Sequence, residues 1–302
     1  MRRLLFLSLV QIIQPIVCQQ IWDIWQTKWD RTNLFTPITL STPINFVTPG
    51  PSGDANIVVD DSTVYQSIAG FGASLTDSSA LLLSNLKSKN AANYNTLLNY
   101  MFSSADGTNT AGLNYIRLSI GASDFSAGEY SLDDTNGDTS FASFSIDRAP
   151  SYLFSVLQDI KAINSNIKVH IVPWSPPAWM KTTDPTYLLK AVQGFQSKGI
   201  PIYAISIQNE PENSNPTYPT STLTPAVEGQ IGTALRTLLN NNGLSNVRVI
   251  GYEHNWDNAG SYPITLMQDA GSSFSGAAFH CYAGTVSNQD TFHNAFPNKV
   301  NA

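Results

Sequence analysis

Cysteine, histidine and charge are all scarce in this sequence. Two cysteines cannot build a disulfide scaffold or a thiolate metal site. The histidines, His170, His254, His280 and His293, show no metal-ligand spacing, so the chemistry is expected to need neither metal nor cofactor. Charged residues make up 13% of the chain, about half the roughly 25% of an average soluble protein. The 16 Lys and Arg stand against 22 Asp and Glu, a formal charge of −6, which is the wrong sign for a nucleic-acid footprint. Beyond the N-terminus no stretch is long and apolar enough to span a bilayer, so stable membrane insertion is not expected. What is present is a core: 42% hydrophobic residues, with 11% aromatic, is ample for a packed fold. The 302 residues fit one large domain or two small ones.

The N-terminus begins Met1-Arg2-Arg3, continues without charge from Leu4 to Val10, and stays apolar at Ile12, Ile13, Ile16 and Val17. Gln11 and Gln14 interrupt the run and Trp22-Asp23 ends it. This pattern reads as a secretory signal peptide over residues 1–18, cleaved near Cys18 or Gln19, and implies an extracellular protein. Cleavage leaves Cys281, in an apolar strand beside His280, where a buried inert thiol is expected. Residues 19–56 form a Thr/Pro/Ser-rich lead-in with Pro37, Pro43, Pro49 and Pro51 and no helical period.

From residue 57 to 302 the chain alternates. Apolar, β-leaning runs occur at Tyr65 to Leu75, Leu113 to Ile120, Ile167 to Pro173, Ile200 to Gln208, Val247 to Tyr252 and Gly276 to Tyr282. Two of them are nearly continuous apolar strings, as in strands covered on both faces. Helical spacing fills the gaps at Ser78 to Phe102, Ala149 to Ile163, Pro185 to Lys198 and Thr224 to Leu239. Such alternation predicts a parallel α/β sheet. A doubly wound sheet would show a glycine-rich phosphate turn, but Gly70-Phe-Gly-Ala73 runs on into Ser74-Leu-Thr76 without the third glycine. Polar residues instead follow several different strands, as in a (β/α)8 barrel. Six of the eight strands are expected here, making a partial catalytic domain.

The strand ends carry the chemistry. Gln208-Asn209-Glu210-Pro211 puts a carboxylate on a rigid strand end beside an amide that can bond a sugar hydroxyl, a combination suited to general acid work. Pro173-Trp174-Ser-Pro-Pro-Ala-Trp179 cannot continue a sheet and builds an aromatic wall for stacking a sugar ring, with one tryptophan expected to line the cleft and the other to pack. Arg117 follows Tyr115-Ile116 within the second run, and Asp124, seven residues on, could accept two hydroxyls. Glu253 ends the fifth run, and His280-Cys-Tyr282 the sixth. Asp77 reads as a helix cap.

These phrases, in this order, resemble glycoside hydrolase family 30: Gly70 to Asp77, Tyr115-Ile-Arg117, Ser123-Asp124-Phe125, Pro173 to Trp179, Gln208 to Pro211 and His280 to Tyr282. Within the family, Gly251 to Asp257 and Gln289 to Pro297 look like the secreted fungal endo-β-1,6-glucanases, with glucosylceramidases and xylanases as further kin. The resemblance implies a retaining β-glycosidase acting on β-glucan or a glucoside, on a (β/α)8 barrel with a companion β-sandwich. It implies Glu210 as the acid/base, with Asp124, Trp174, Asn209, His280 and Tyr282 around the sugar and Arg117 supporting the nucleophile. The family's nucleophile is a Glu on the seventh strand, in a Thr-Glu-Cys run, whereas the chain reads Val300-Asn301-Ala302 after Lys299. The sandwich, the last barrel strands and that Glu are therefore expected to be absent, leaving an inactive fragment, or else a non-catalytic glycan-binding remnant. Glu253 is expected to sit behind the site or in a subsite.

Overall fold

The computed structural model describes residues 20–46, 58–105, 110–180 and 182–302. The signal peptide read at residues 1–18 lies outside them, as do Pro49, Pro51 and Lys181. The chain divides into two compact units, Met1–Ser67 and Ile68–Ala302. In the first, β1 (Trp25–Gln26) pairs antiparallel with β2 (Thr36–Pro37). Trp25 stacks on Phe35 with ring centroids 4.7 Å apart.

The second unit is a parallel sheet of seven strands in sequence order: β3 (Gly72–Ser74), β4 (Tyr115–Ile120), β5 (Lys168–Pro173), β6 (Ala204–Ser206), β7 (Arg248–Asn255), β8 (Gly276–His280) and β9 (Val300–Asn301). This is an incomplete (β/α)8 barrel. It has one strand more than the sequence reading, because Val300 and Asn301 pair with Gly276 and Ala277. Two residues are too short a run to signal a strand by composition.

Helices α1 (Asp77–Lys89), α2 (Ala91–Phe102), α3 (Ser151–Ile163), α4 (Pro185–Ser197), α5 (Pro225–Asn241), α6 (Tyr262–Ala270) and α7 (Asn288–Ala295) accompany the strands. The single segment read from Ser78 to Phe102 is two helices. Asn90 ends the first, and its side chain accepts from the Asn93 amide to cap the second. Thr76, not Asp77, caps α1 by accepting from the Ser79 amide. Asp77 instead turns inward, is 2% exposed, and accepts from Ser126 Oγ and Tyr130 Oη at 2.5 and 3.0 Å. Asp184 and Thr224 cap α4 and α5, each followed by a proline at the first helical position, where the missing amide costs nothing. Helix α3 shows how these helices hold to the sheet: Leu153, Phe154, Val156, Leu157 and Ile160 form one buried face, each contributing roughly 1.5–3 kcal/mol relative to exposure.

The central strands are buried on both faces, which is why β5 reads as an apolar string from Val169 to Pro173 broken only by His170. Close approach explains Gly72, where an added Cβ would fall 1.5 Å from the Tyr115 carbonyl oxygen. The strands run parallel, so the loop after β5, Glu210 after β6, Glu253 on β7 and His280 on β8 gather at the carboxyl end of the sheet, and Arg117, midway along β4, reaches them through its side chain.

Candidate active site

Backbone bonds first bring the strand ends together. The Asn209 amide donates to the Pro173 carbonyl at 2.8 Å, and the Glu210 amide to the Glu253 carbonyl at 3.0 Å. Gln208 Nε2 donates to the Trp174 carbonyl at 2.5 Å, tying the aromatic loop to β6. Glu210, Tyr252 and Glu253 have φ of 48°, 66° and 51°, a left-handed conformation that costs a non-glycine residue of order 1–3 kcal/mol. At β7 the cause is visible: its register against β8 shifts between Gly251 and His254, so Tyr252 and Glu253 form a bulge. The bulge turns Glu253 into the interior.

Glu253 is 1% exposed. Its Oε1 accepts from Arg117 Nε at 2.6 Å and its Oε2 from Ser206 Oγ at 2.5 Å. Because Ser206 donates here, His170 Nε2, 2.7 Å from the same Oγ, is the donor to it. His170 Nδ1 then accepts from Tyr115 Oη at 3.2 Å. This assignment leaves His170 neutral. Burial, with the Arg117 charge adding, outweighs the attraction of Glu253 and lowers the imidazole to about 4. Burial alone would raise the Glu253 carboxyl. The Arg117 charge and the contact and charge of His280 overcome it and hold Glu253 well below the usual carboxylate range.

Arg117 also donates through Nη2 to Asn209 Oδ1 at 2.7 Å, and its guanidinium lies 4.9 Å from the Trp174 ring centroid. One cation therefore orders a carboxylate, an amide and an aromatic ring. Glu210 is half-buried, its Oε1 2.9 Å from His280 Nδ1 and its Oε2 accepting from Asn213 Nδ2 at 2.8 Å. Asn213 also reaches Tyr218 Oη at 3.1 Å. The bond from His280 lowers the Glu210 carboxyl against the opposing effect of burial, and Asn213 adds to it. His280 Nε2 stands 3.6 Å from Glu253 Oε1, an ion-pair distance. Burial would lower the imidazole, but contact with both carboxylates raises it instead. One ring is thus clamped between two acids. In a proton NMR titration, His280 is expected to deprotonate above the ordinary 6.5, with His254 below it by burial and His170 near 4. A His170 that titrates above His280 would contradict the hydrogen-bond assignment.

Of the residues expected from sequence, Arg117, Trp174, Asn209, Glu210 and His280 form one network. Tyr282 stands on the rim, exposed, its amide donating to Asn255 Oδ1 at 3.0 Å and its ring edge-on to His280. Asp124 lies exposed on the loop after β4, outside the network. Trp179 donates its indole N–H to the Asp133 carbonyl at 2.8 Å and packs on Phe141. Cys281 is exposed, contrary to the expected buried thiol, because β8 ends at His280. Sequence reading missed Ser206, His170 and Asn213. A histidine in an otherwise apolar string, in register with Arg117, was the available signal for His170. Among the described residues no group of three or more His, Cys, Asp or Glu is placed to share a metal ion, and no helix is long and apolar enough to cross a membrane.

Residues 68–186 match the glycosyl hydrolase family 30 TIM-barrel domain. The chain is 35% identical over 283 residues to the endo-1,6-beta-D-glucanase of Neurospora crassa, covering 83% of this chain and 56% of that protein. It is 31% identical over 285 residues to the Trichoderma harzianum endo-1,6-beta-D-glucanase BGN16.3, with the same coverage of 83% and 56%. It is 29% identical over 280 residues to putative glucosylceramidase 2 of Caenorhabditis elegans, covering 82% and 52%. The chain spans about half the length of the curated relatives it matches. Among solved structures, the endo-beta1,6-glucanase BT3312 superposes with a TM-score of 0.80 at 30% identity, over 92% of this chain and 64% of that one. SrfJ from Salmonella typhimurium shares the fold, with a TM-score of 0.80 at 20% identity over 92% and 64%.

Proposed function

The chain carries a glycosyl hydrolase family 30 TIM-barrel domain, and from that premise we propose that its site binds β-glucan and protonates a β-glucosidic bond, with β-1,6-linked glucose as the preferred ligand. Glu210 is the proton donor. The observation that carries this is the clamp on Glu210, with His280 Nδ1 on one oxygen and Asn213 Nδ2 on the other. The acid and the imidazole share protons at hydrogen-bond distance, so a proton on His280 can pass to Glu210 as a glycosidic oxygen approaches. Asn209 offers its amide to a sugar hydroxyl, and Trp174 a ring face to the sugar's C–H groups. Asp124 and Tyr282 reach the ligand from the rim. Arg117 keeps Asn209 and Trp174 in place. Secretion through the segment 1–18 fits a polysaccharide substrate.

A second reading is favoured by the state of Glu253: a chain that binds glycan and does not turn it over. Retention of configuration needs a second carboxylate that attacks the anomeric carbon, and Glu253 has both oxygens engaged. The catalytic and the non-catalytic reading share the same binding site.

Titration calorimetry tests that site. A β-1,6-linked glucose tetramer is expected to bind at least about tenfold tighter, or 1.4 kcal/mol, than a glucuronic-acid-bearing xylotetraose. Acidic groups outnumber basic ones in the chain, and Arg117 is committed to Glu253 and Asn209. Tighter binding of the acidic xylan fragment would overturn the ligand assignment.

A further inference from the structure

One buried acid lies outside this network. Glu228, in the first turn of α5, is 0% exposed. A glutamate there is usually a solvated partner of the helix dipole. Here its Oε1 accepts the backbone N–H of Tyr252 at 3.0 Å, and its Oε2 has no hydrogen-bond partner among the described residues.

The bonded amide belongs to the β7 bulge. The register shift between Gly251 and His254 takes Tyr252 out of the β8 ladder, and Tyr252 is itself 0% exposed. Without Glu228 that amide would be a buried donor with no acceptor, which is destabilising. The next residue is Glu253, whose side chain meets Arg117 and Ser206 and whose carbonyl accepts the Glu210 amide. One bulge thus sets the stance of both acids in the site.

We propose that Glu228 is a positioning residue, whose carboxylate locks the β7 bulge from behind the sheet and thereby fixes Glu253 and Glu210 in the glucan site. The proposal rests on the functional reading above only for the name of the ligand. Burial raises Glu228 to about 7, yet a carbonyl oxygen remains to accept the Tyr252 amide in either protonation state. Tyr252, Tyr262 and Glu253 are the titratable groups around it.

The test compares the wild-type protein with Glu228→Gln and Glu228→Leu. Glutamine keeps an acceptor oxygen; leucine keeps the bulk and loses the acceptor. In wild type the Tyr252 amide is expected to exchange slowly with deuterium, as an internally bonded amide does. In Glu228→Gln that protection and the elevated His280 titration are expected to persist. In Glu228→Leu the His280 titration should fall toward 6.5, because Glu253 leaves it, and affinity for the β-1,6-linked glucose tetramer should drop at least about tenfold. A cooperatively melting Glu228→Leu protein with unchanged His280 titration would overturn the proposal. If that variant does not fold, a rapidly exchanging Tyr252 amide in wild type, or a folded Glu228→Gln that loses the His280 shift, overturns it equally. A protein that binds no glucan but shows the expected His280 response would retire the ligand assignment and leave Glu228 in its role.

Discussion

The 302-residue chain is expected to release sugar from β-1,6-glucan at a trace rate, on the order of 10⁻⁶ of that of the Neurospora crassa endo-1,6-beta-D-glucanase assayed beside it, the scale set by nucleophile deletions in other enzymes. In the proposed reaction Glu210 protonates the leaving oxygen, and something must then capture the oxocarbenium-like carbon. Glu253 is the carboxylate beside it, and three observations disqualify it. It is 1% exposed. Arg117 Nε and Ser206 Oγ occupy its two oxygens at 2.6 and 2.5 Å. Its carboxyl is held well below the usual range despite burial, mainly by the Arg117 charge, so its negative charge is already paired. A turnover within tenfold of the Neurospora enzyme would show that a carboxylate attacks, and Glu253→Gln would then be the first variant to examine.

Arg117→Ala is expected to lower the melting temperature at neutral pH by roughly 6–20 °C. Removing one partner of a buried ion pair costs about 3–5 kcal/mol, and in a domain of this size each kcal/mol moves the midpoint by about 2–4 °C. The pH dependence separates this cause from lost packing on Trp174. In wild type the folded Glu253 carboxyl lies below its ordinary 4.5. Its contribution to stability is therefore present above about pH 4.5 and lost as pH falls through the folded value. Without Arg117, burial raises the group and the sign reverses: the ionised form is penalised above pH 4.5, and the penalty fades as pH falls. The gap between wild type and variant should be widest near pH 7 and narrow toward pH 4.5. Arg117→Ala combined with Glu253→Gln should recover part of the loss. A gap independent of pH would place the cost in packing alone.

How far the sequence reveals this molecule depends on whether a feature is written in local pattern. The alternation of apolar strings with helical spacing is such a pattern, and it yields the parallel sheet and the helices α3, α4 and α5 within a residue or two of their ends. Helices α6 and α7 carry weaker signals: nine and eight residues long, the first with Pro263 near its start. Val300 and Asn301 join the sheet through register alone. At the site, Glu210 and Asn209 stand out because they follow an apolar strand, and Arg117 because a charge inside one is unusual. The left-handed backbone at Tyr252 and Glu253 has no glycine or asparagine to announce it, so the anchoring of Glu253 could not be foreseen. Glu228 is hidden for the same reason: its role comes from an amide orphaned by a bulge, 24 residues away in the chain.

The most direct measurement is sugar release from a β-1,6-linked glucose tetramer with and without sodium formate, for wild type and Glu210→Gln. Formate can supply the attack that Glu253 does not: its oxygen bonds to the anomeric carbon, the glycosidic C–O bond breaks, and the leaving oxygen takes the proton from Glu210. Release that depends on formate in wild type and disappears in Glu210→Gln is the expected result. Release that ignores formate, or that survives the loss of the Glu210 carboxyl, would contradict the assignment of Glu210 as donor and Glu253 as anchor.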